Sequence, residues 1–282
     1  MTESAATTHP GLKRSHNEDS YASDPDLGLW LVADGVGGHA SGEVASAIVR
    51  DTLHSGFARG RDLVDAICDA HEAVLEDMAT AENRAGMGST VVALSLQDQQ
   101  YDVAWVGDSR AYLWDGKLHQ LTRDHSQVGL LVAKGIVSPQ QAATHPKRHV
   151  LTQSVGISNT MRLAPERIVG ELSSGQQILL CSDGLTDELN DATIAKHMAR
   201  CPTAQAQVDA LLSEALAAGG RDNITIVVIC APAKTRPTSL EDTQITTRIS
   251  SVQKSKRINH ATHVWAIVAV MVALALATWL VF

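Results

Sequence analysis

A chain of 282 residues with 44% hydrophobic side chains can bury a substantial core, as one large domain or two small ones. Its net charge of -8 and 4% aromatic content exclude a basic groove with stacking platforms for nucleic acid, which leaves proteins or small phosphates as partners. The four cysteines, Cys68, Cys181, Cys201 and Cys230, have no paired spacing and lie in apolar or helical contexts, so buried, reduced thiols of a cytosolic protein are expected.

Met1 to Ala6 carries an acid and no apolar stretch, so no signal peptide is expected. Residues 10 to 24, with Arg14-Ser15-His16-Asn17-Glu18-Asp19-Ser20, read as a polar, solvated segment. Leu29-Trp30-Leu31-Val32-Ala33-Asp34-Gly35-Val36-Gly37-Gly38-His39 is different in kind: a buried strand that stops at a carboxylate and a glycine bend. From Ser41, an expected N-cap, Val44, Ile48 and Leu53 line one face of a helix, and a second amphipathic helix is expected over about 61 to 82. His71 on its apolar stripe reads as a core-edge histidine rather than a ligand.

A strand from Ser89 to Leu96 turns through Asp98-Gln99-Gln100 into one ending at Gly107-Asp108-Ser109. Arg110 to Trp114, then Asp115-Gly116, then Lys117 to Leu121 is a hairpin signal, so pairing is antiparallel and the class is α+β. An insertion at about 124 to 150 holds a short helix, Ser126 to Lys134, closed by Gly135 as the expected C-cap, and a further turn from Ser138-Pro139. Strands are expected again at about 162 to 170 and 177 to 182, the latter meeting Ser182-Asp183-Gly184. Helices at about 191 to 200 and 203 to 218 follow, with Asp191 and Thr203 as expected caps, and then Gly219-Gly220-Arg221-Asp222-Asn223 before a strand to 230.

Asp34, Asp108, Asp183 and Asp222 therefore share one grammar, an acid beside Gly or Ser at the end of an apolar run. A single copy is ordinary turn chemistry. Four copies point to a shared site, and carboxylates gathered without a cation would repel one another and lose their charge. Oxygen ligands without a Cys/His set of zinc spacing favour Mg2+ or Mn2+, and a polynuclear centre of such ions most often serves phosphoryl transfer to water.

Residues 232 to 262 change to Thr, Ser, Gln and charge, as a linker does. Val264 to Phe282 contains no charged residue and is long enough for a hydrocarbon core of about 30 Å. Lys254, Lys256 and Arg257 precede it. A single-pass tail anchor over 263 to 282 is expected in the cytoplasmic membrane, with the 1 to 231 domain in the cytoplasm.

These residues resemble the metal-dependent Ser/Thr protein phosphatases of type 2C, in their bacterial branch. The motifs are Arg14 with Asn17-Glu18-Asp19, Asp34-Gly35 with Gly37-Gly38-His39, Gly88-Ser89-Thr90, Gly107-Asp108-Ser109-Arg110 and Leu121-Thr122 with Asp124-His125-Ser126. Leu151-Thr152-Gln153 with Gly156, Ser182-Asp183-Gly184, and Gly220 with Asp222-Asn223 complete the series. The resemblance implies a sandwich of two antiparallel β-sheets with helices outside both, and hydrolysis of phosphoserine and phosphothreonine in cytoplasmic proteins by water that bridges two Mg2+ or Mn2+ ions. It implies that Asp34 bridges the metals, that the Gly35 carbonyl holds one, that Asp183 and Asp222 complete the other, and that Glu18 acts through water. It further implies that Asp108 with Asp183 takes the third ion some bacterial members bind, that Arg14 grips the phosphate, and that the insertion is the flap beside the site. The implied partners are a Ser/Thr kinase and its targets.

One departure stands out: animal-type members carry His directly after Asp-Gly, where this chain has Val36. His39, three residues on, is a candidate general acid or a hydrogen-bonding partner of a helix end, with a metal-bound or loosely held water as the alternative acid. Two rival functions remain at this level. A pseudophosphatase would have lost a metal acid, and Asp34, Asp183 and Asp222 are all present. An aspartate-nucleophile phosphatase or nucleotide binder would need a parallel sheet, against which the Asp115-Gly116 hairpin speaks.

Overall fold

The computed structural model describes residues 2–37, 41–80, 86–142, 144–156 and 163–232. One sheet has the strand order β1 (Ser4–His9), β11 (Ile224–Cys230), β10 (Gln177–Cys181), β7 (Arg110–Trp114), β8 (Leu118–Gln120). The other has β2 (Asp19–Asp24), β3 (Leu29–Val36), β5 (Val91–Gln97), β6 (Gln100–Val106), β9 (Glu166–Glu171), with β4 (Gly88–Ser89) paired to the end of β3. Every pairing within these sheets is antiparallel.

The strands read as unbroken apolar runs because both of their faces are covered. Along β3, Trp30 and Val32 face the sheet of β10 and β11, where they meet Ile178, Leu180, Val227 and Ile229. Leu29, Leu31 and Ala33 face the other way, onto Val49 and Leu53 of α1 (Ser41–Ala58) and Ile67 and Val74 of α2 (Leu63–Thr80). In the opposite sheet Leu179, Cys181, Ile226 and Val228 pack on Met198 of α6 (Asp191–Arg200) and Leu211 and Ala215 of α7 (Ala204–Ala218). Helices therefore cover the outside of both sheets, and three apolar layers alternate with them.

Some expected boundaries move. β1 and β2 lie in stretches that read as polar chain, because each is an edge strand with few buried side chains. Ser41 begins α1 as a helical residue, and Asn190 rather than Asp191 caps α6, its side chain accepting from Thr193 N–H at 3.0 Å. Thr203 caps α7 as expected; Ser126, expected as the first helical residue, is the N-cap of α3 (Gln127–Ala133), and Lys134 rather than Gly135 is its C-cap, with Gly135 next at φ +67°. The 124 to 150 insertion holds α3 and α4 (Pro139–Ala142), and its two stems are joined by a bridge between Ser126 and Leu151. A short α5 (Asp183–Glu188), not legible as a helix in the sequence, follows β10.

His71 is a core-edge histidine, buried and accepting the Gly156 N–H at Nδ1, 2.9 Å. Cys181 is buried, and Cys68, Cys201 and Cys230 are half-buried. His39 and residues 233 to 282, with the expected linker and anchor, lie outside the described residues. Among the described residues no helix is long and apolar enough to cross a membrane.

Candidate active site

Antiparallel pairing brings the acids to one edge. β5 starts where β3 ends and β6 ends where β5 starts, so the chain ends of β3 and β6 coincide. Likewise Cys181 at the end of β10 pairs with Ile226 near the start of β11, which is why the acid-glycine pattern appears inverted before β11.

Asp34 lies within β3, two residues before its end, and its backbone is held on both sides. Its carbonyl accepts from Thr90 N–H at 2.8 Å and from the Ser89 hydroxyl at 3.0 Å, while its N–H donates to Thr90 Oγ1 at 3.2 Å. Gly35 N–H donates to the Glu18 carbonyl at 3.1 Å, and a Cβ on Gly35 would sit 2.1 Å from the Gly42 carbonyl oxygen of α1. Only glycine permits that approach.

Glu18 is placed by Asn223, whose Oδ1 accepts the Glu18 N–H at 2.8 Å and whose Nδ2 donates to the carbonyls of Pro10 and His16 at 2.9 Å each. One amide thus fastens the β1–β2 loop, with Arg14 on it, to the segment that carries Asp222. Arg14 donates to Asp222 Oδ2 at 2.8 Å. Asp108 follows Gly107, whose φ of +107° and 2.6 Å approach to Thr90 exclude a side chain. Asp183 opens α5 directly after Ser182.

Arg14, Glu18, Asp34, Gly35, Asp108, Asp183 and Asp222 all line one cavity of about 440 Å³. Of the expected site residues only His39 is outside the described chain. Val36, where animal-type members have histidine, also lines the cavity.

The electrostatics demand a cation. Burial, and then the charges of Asp19, Asp183, Asp108 and Asp222, hold the Asp34 carboxyl well above the ordinary carboxylate range. Asp108 is raised in the same way, by burial and then by Asp183 and Asp124. Asp19, opposite Asp34 in the β2–β3 register, is pushed up to about 7 by burial despite hydrogen bonds from Thr225 at 2.7 Å and Ser182 at 2.8 Å. Its Oδ1 is buried with no hydrogen-bond partner. A divalent ion relieves all of these strains together, and a donor set made wholly of oxygens suits Mg2+ or Mn2+.

Several cavity residues escaped the sequence reading. Arg148 and His149, on the returning stem of the insertion, reach α5: His149 Nδ1 is 3.6 Å from Asp183 Oδ2 and its Nε2 is 3.5 Å from Asp187 Oδ2, while Arg148 Nε is 3.6 Å from Asp187 Oδ1. The neighbouring carboxylates, Asp183 first, raise the His149 pKa against the opposing effect of burial. The basic run Lys147-Arg148-His149 was the available signal. Asp187 and Glu188 also line the cavity, as do Thr90 and Arg221, which the sequence showed only within longer motifs. Asp19, quoted only as part of a motif, sits beneath it.

The model of the family described as protein phosphatase 2C matches residues 12–218. The chain belongs to the protein phosphatase 2C family. Its phosphatase 2C domain is 36% identical over 232 residues to the serine/threonine protein phosphatase PstP of Mycobacterium tuberculosis, covering 79% of this chain and 44% of that protein. The chain thus spans less than half the length of this mycobacterial relative. It is 30% identical to the serine/threonine phosphatase stp of Listeria monocytogenes over 236 residues, covering 79% of this chain and 93% of that one. Among solved phosphatase 2C structures, the catalytic domain of PstP in complex with two manganese ions superposes with a TM-score of 0.72 at 33% identity, over 81% of this chain and 97% of that one.

Proposed function

We propose that this protein is a Mg2+- or Mn2+-dependent phosphatase that hydrolyses phosphoserine and phosphothreonine in proteins. The observation that carries this is the convergence of Asp34, Asp108, Asp183 and Asp222, from four separate segments, with Arg14 and Glu18 around a single cavity. Family membership and the manganese-bound relative support it.

Asp34, the Gly35 carbonyl, Asp183 and Asp222 would hold a pair of divalent ions, with Glu18 acting through water and Asp108 with Asp183 available to a third. Bound there, such ions lower the pKa of water and offset charge on the transferring phosphoryl group. Arg14, half exposed at the mouth, presents a planar guanidinium to the phosphoryl oxygens, a geometry that matches a phosphate better than an ammonium would. Thr90 fixes Asp34 through both backbone groups, so the carboxylate is oriented before substrate arrives. His39 is the proposed proton donor to the leaving alkoxide.

The physiological substrates we propose are cytoplasmic phosphoproteins, opposite a Ser/Thr kinase. The uncharged run from Val264 with the basic residues before it supports a cytoplasmic-membrane tail anchor.

The test is a phosphothreonine peptide labelled with radioactive phosphate. Labelled phosphate should be released without any acid-stable label on the protein. A trapped phosphoenzyme would replace this reading with the aspartate-nucleophile one.

A further inference from the structure

Asp183 and Asp222, which the proposed function assigns to the same ion, come from segments about forty residues apart in the chain, and something must hold their spacing. The candidate is at the far end of α5. Asp183 is the first residue of that six-residue helix and Glu188 the last. Although it lies at the cavity wall, the Glu188 side chain is only 2% exposed. Its Oε1 accepts the backbone N–H of Arg221 at 2.9 Å and the Arg221 Nε–H at 2.9 Å, and its Oε2 accepts from Arg221 Nη2 at 3.1 Å. Arg221 immediately precedes Asp222.

The other end of α5 touches the same segment. A Cβ on Gly184 would lie 1.9 Å from the Asn223 carbonyl oxygen, so helix and loop are in backbone contact there. A Cβ on Gly219 would lie 3.0 Å from Glu188 Oε2, which places the carboxylate against the loop's first turn as well. On its opposite side the loop is closed by Gly11 and Leu12: a Cβ on Gly11 would meet the Asp222 carbonyl oxygen at 2.2 Å, and Leu12 N–H donates to the Gly220 carbonyl at 2.6 Å. Residues 219 to 223 are therefore gripped between α5 and the β1–β2 loop, and Glu188 supplies side-chain hydrogen bonds on the α5 side of that grip.

We infer that Glu188 is a positioning residue which, by clasping the Arg221 backbone and guanidinium, fixes Asp222 relative to Asp183 and so sets the affinity of the cation they share. This rests on the metal reading above. Glu188 acts through the Arg221 backbone, one residue from Asp222; loss of a group that holds a metal ligand in place typically costs 10–100-fold in metal affinity. The bond to a backbone N–H matters more than the exposed part of the ion pair, since Arg221 is 63% exposed and water screens its charge.

Calorimetric titration of Mn2+ into the metal-free full-length chain, without substrate, tests this. Glu188→Ala should weaken Mn2+ binding about 10–100-fold. Glu188→Gln, which keeps an oxygen for the Arg221 N–H, should weaken it much less, and Arg221→Ala, which keeps that N–H, should do the same. Melting of the same metal-free variants separates a structural role from the proposed one. A Glu188→Ala protein that melts lower but binds Mn2+ like the wild type overturns the inference, as does a Glu188→Gln protein as weak as Glu188→Ala. If Glu188→Ala does not fold, the glutamine and Arg221 variants carry the test, and a loss of 10-fold or more in both contradicts it. Failure of the wild type itself to bind Mn2+ would sink the metal reading instead.

Discussion

Asp34→Asn should separate the two things its carboxylate does. In the metal-free protein burial, and then the charges of Asp19, Asp183, Asp108 and Asp222, raise the pKa of that carboxyl, so a neutral amide of the same shape avoids the cost of a buried charge there. The metal-free variant should melt no lower than the metal-free wild type. With Mn2+ the order reverses. An ion at 100 times its Kd stabilises the folded state by about 2.7 kcal/mol, and a domain of this size gains about 2–4 °C per kcal/mol, so each site raises the wild-type Tm by roughly 5–11 °C. Asp34→Asn should lose most of that rise, and its turnover of a phosphothreonine peptide should fall about 10³-fold or more, since several kcal/mol of Lewis-acid stabilisation are forfeited at 1.36 kcal/mol per tenfold. Thermal melts of both proteins with and without Mn2+ measure this. A variant with the full Mn2+ shift would refute the placement of the ions on Asp34.

His71 carries a pH dependence. Burial lowers its pKa below the free value of about 6.5, so its protons bind preferentially to the unfolded chain and stability falls as pH drops below about 6.5 toward the folded value. Urea unfolding at pH 7.5 and 5.5 should show a smaller loss for His71→Asn than for the wild type; equal losses would mean that His71 is not the group responsible. The proposed anchor predicts that the full chain stays with membranes through alkaline washing, whereas a chain ending at Pro232 stays in the supernatant. Full-length protein in the soluble fraction would reject the anchor.

Much of the site could be read directly because its acids lie within two residues of the ends of doubly buried strands, although β3 runs on through Asp34 to Val36 instead of stopping there. β3, β6, β10 and β11 stand out as apolar runs, and the acid-glycine steps at their ends are local features. Features that depend on distant neighbours could not be read that way. β1 is Ser-Ala-Ala-Thr-Thr-His, an edge strand with only Ala5 buried, and nothing in its pattern distinguishes it from loop until β11 pairs with it. Helix α5 is too short for a helical period to show. Asp19 becomes part of the cluster only because register sets it opposite Asp34 and because Ser182 and Thr225 reach it from the other sheet. Glu188 and Arg221 each look like ordinary surface charges until the fold brings them within 2.9 Å.

Phosphate release from a phosphothreonine peptide by protein stripped of metal, before and after metal is returned, bears most directly on the central claim that these carboxylates work through divalent cations. The stripped protein should be inactive, and either Mn2+ or Mg2+ should restore turnover. Full turnover by protein verified to contain no metal would contradict it.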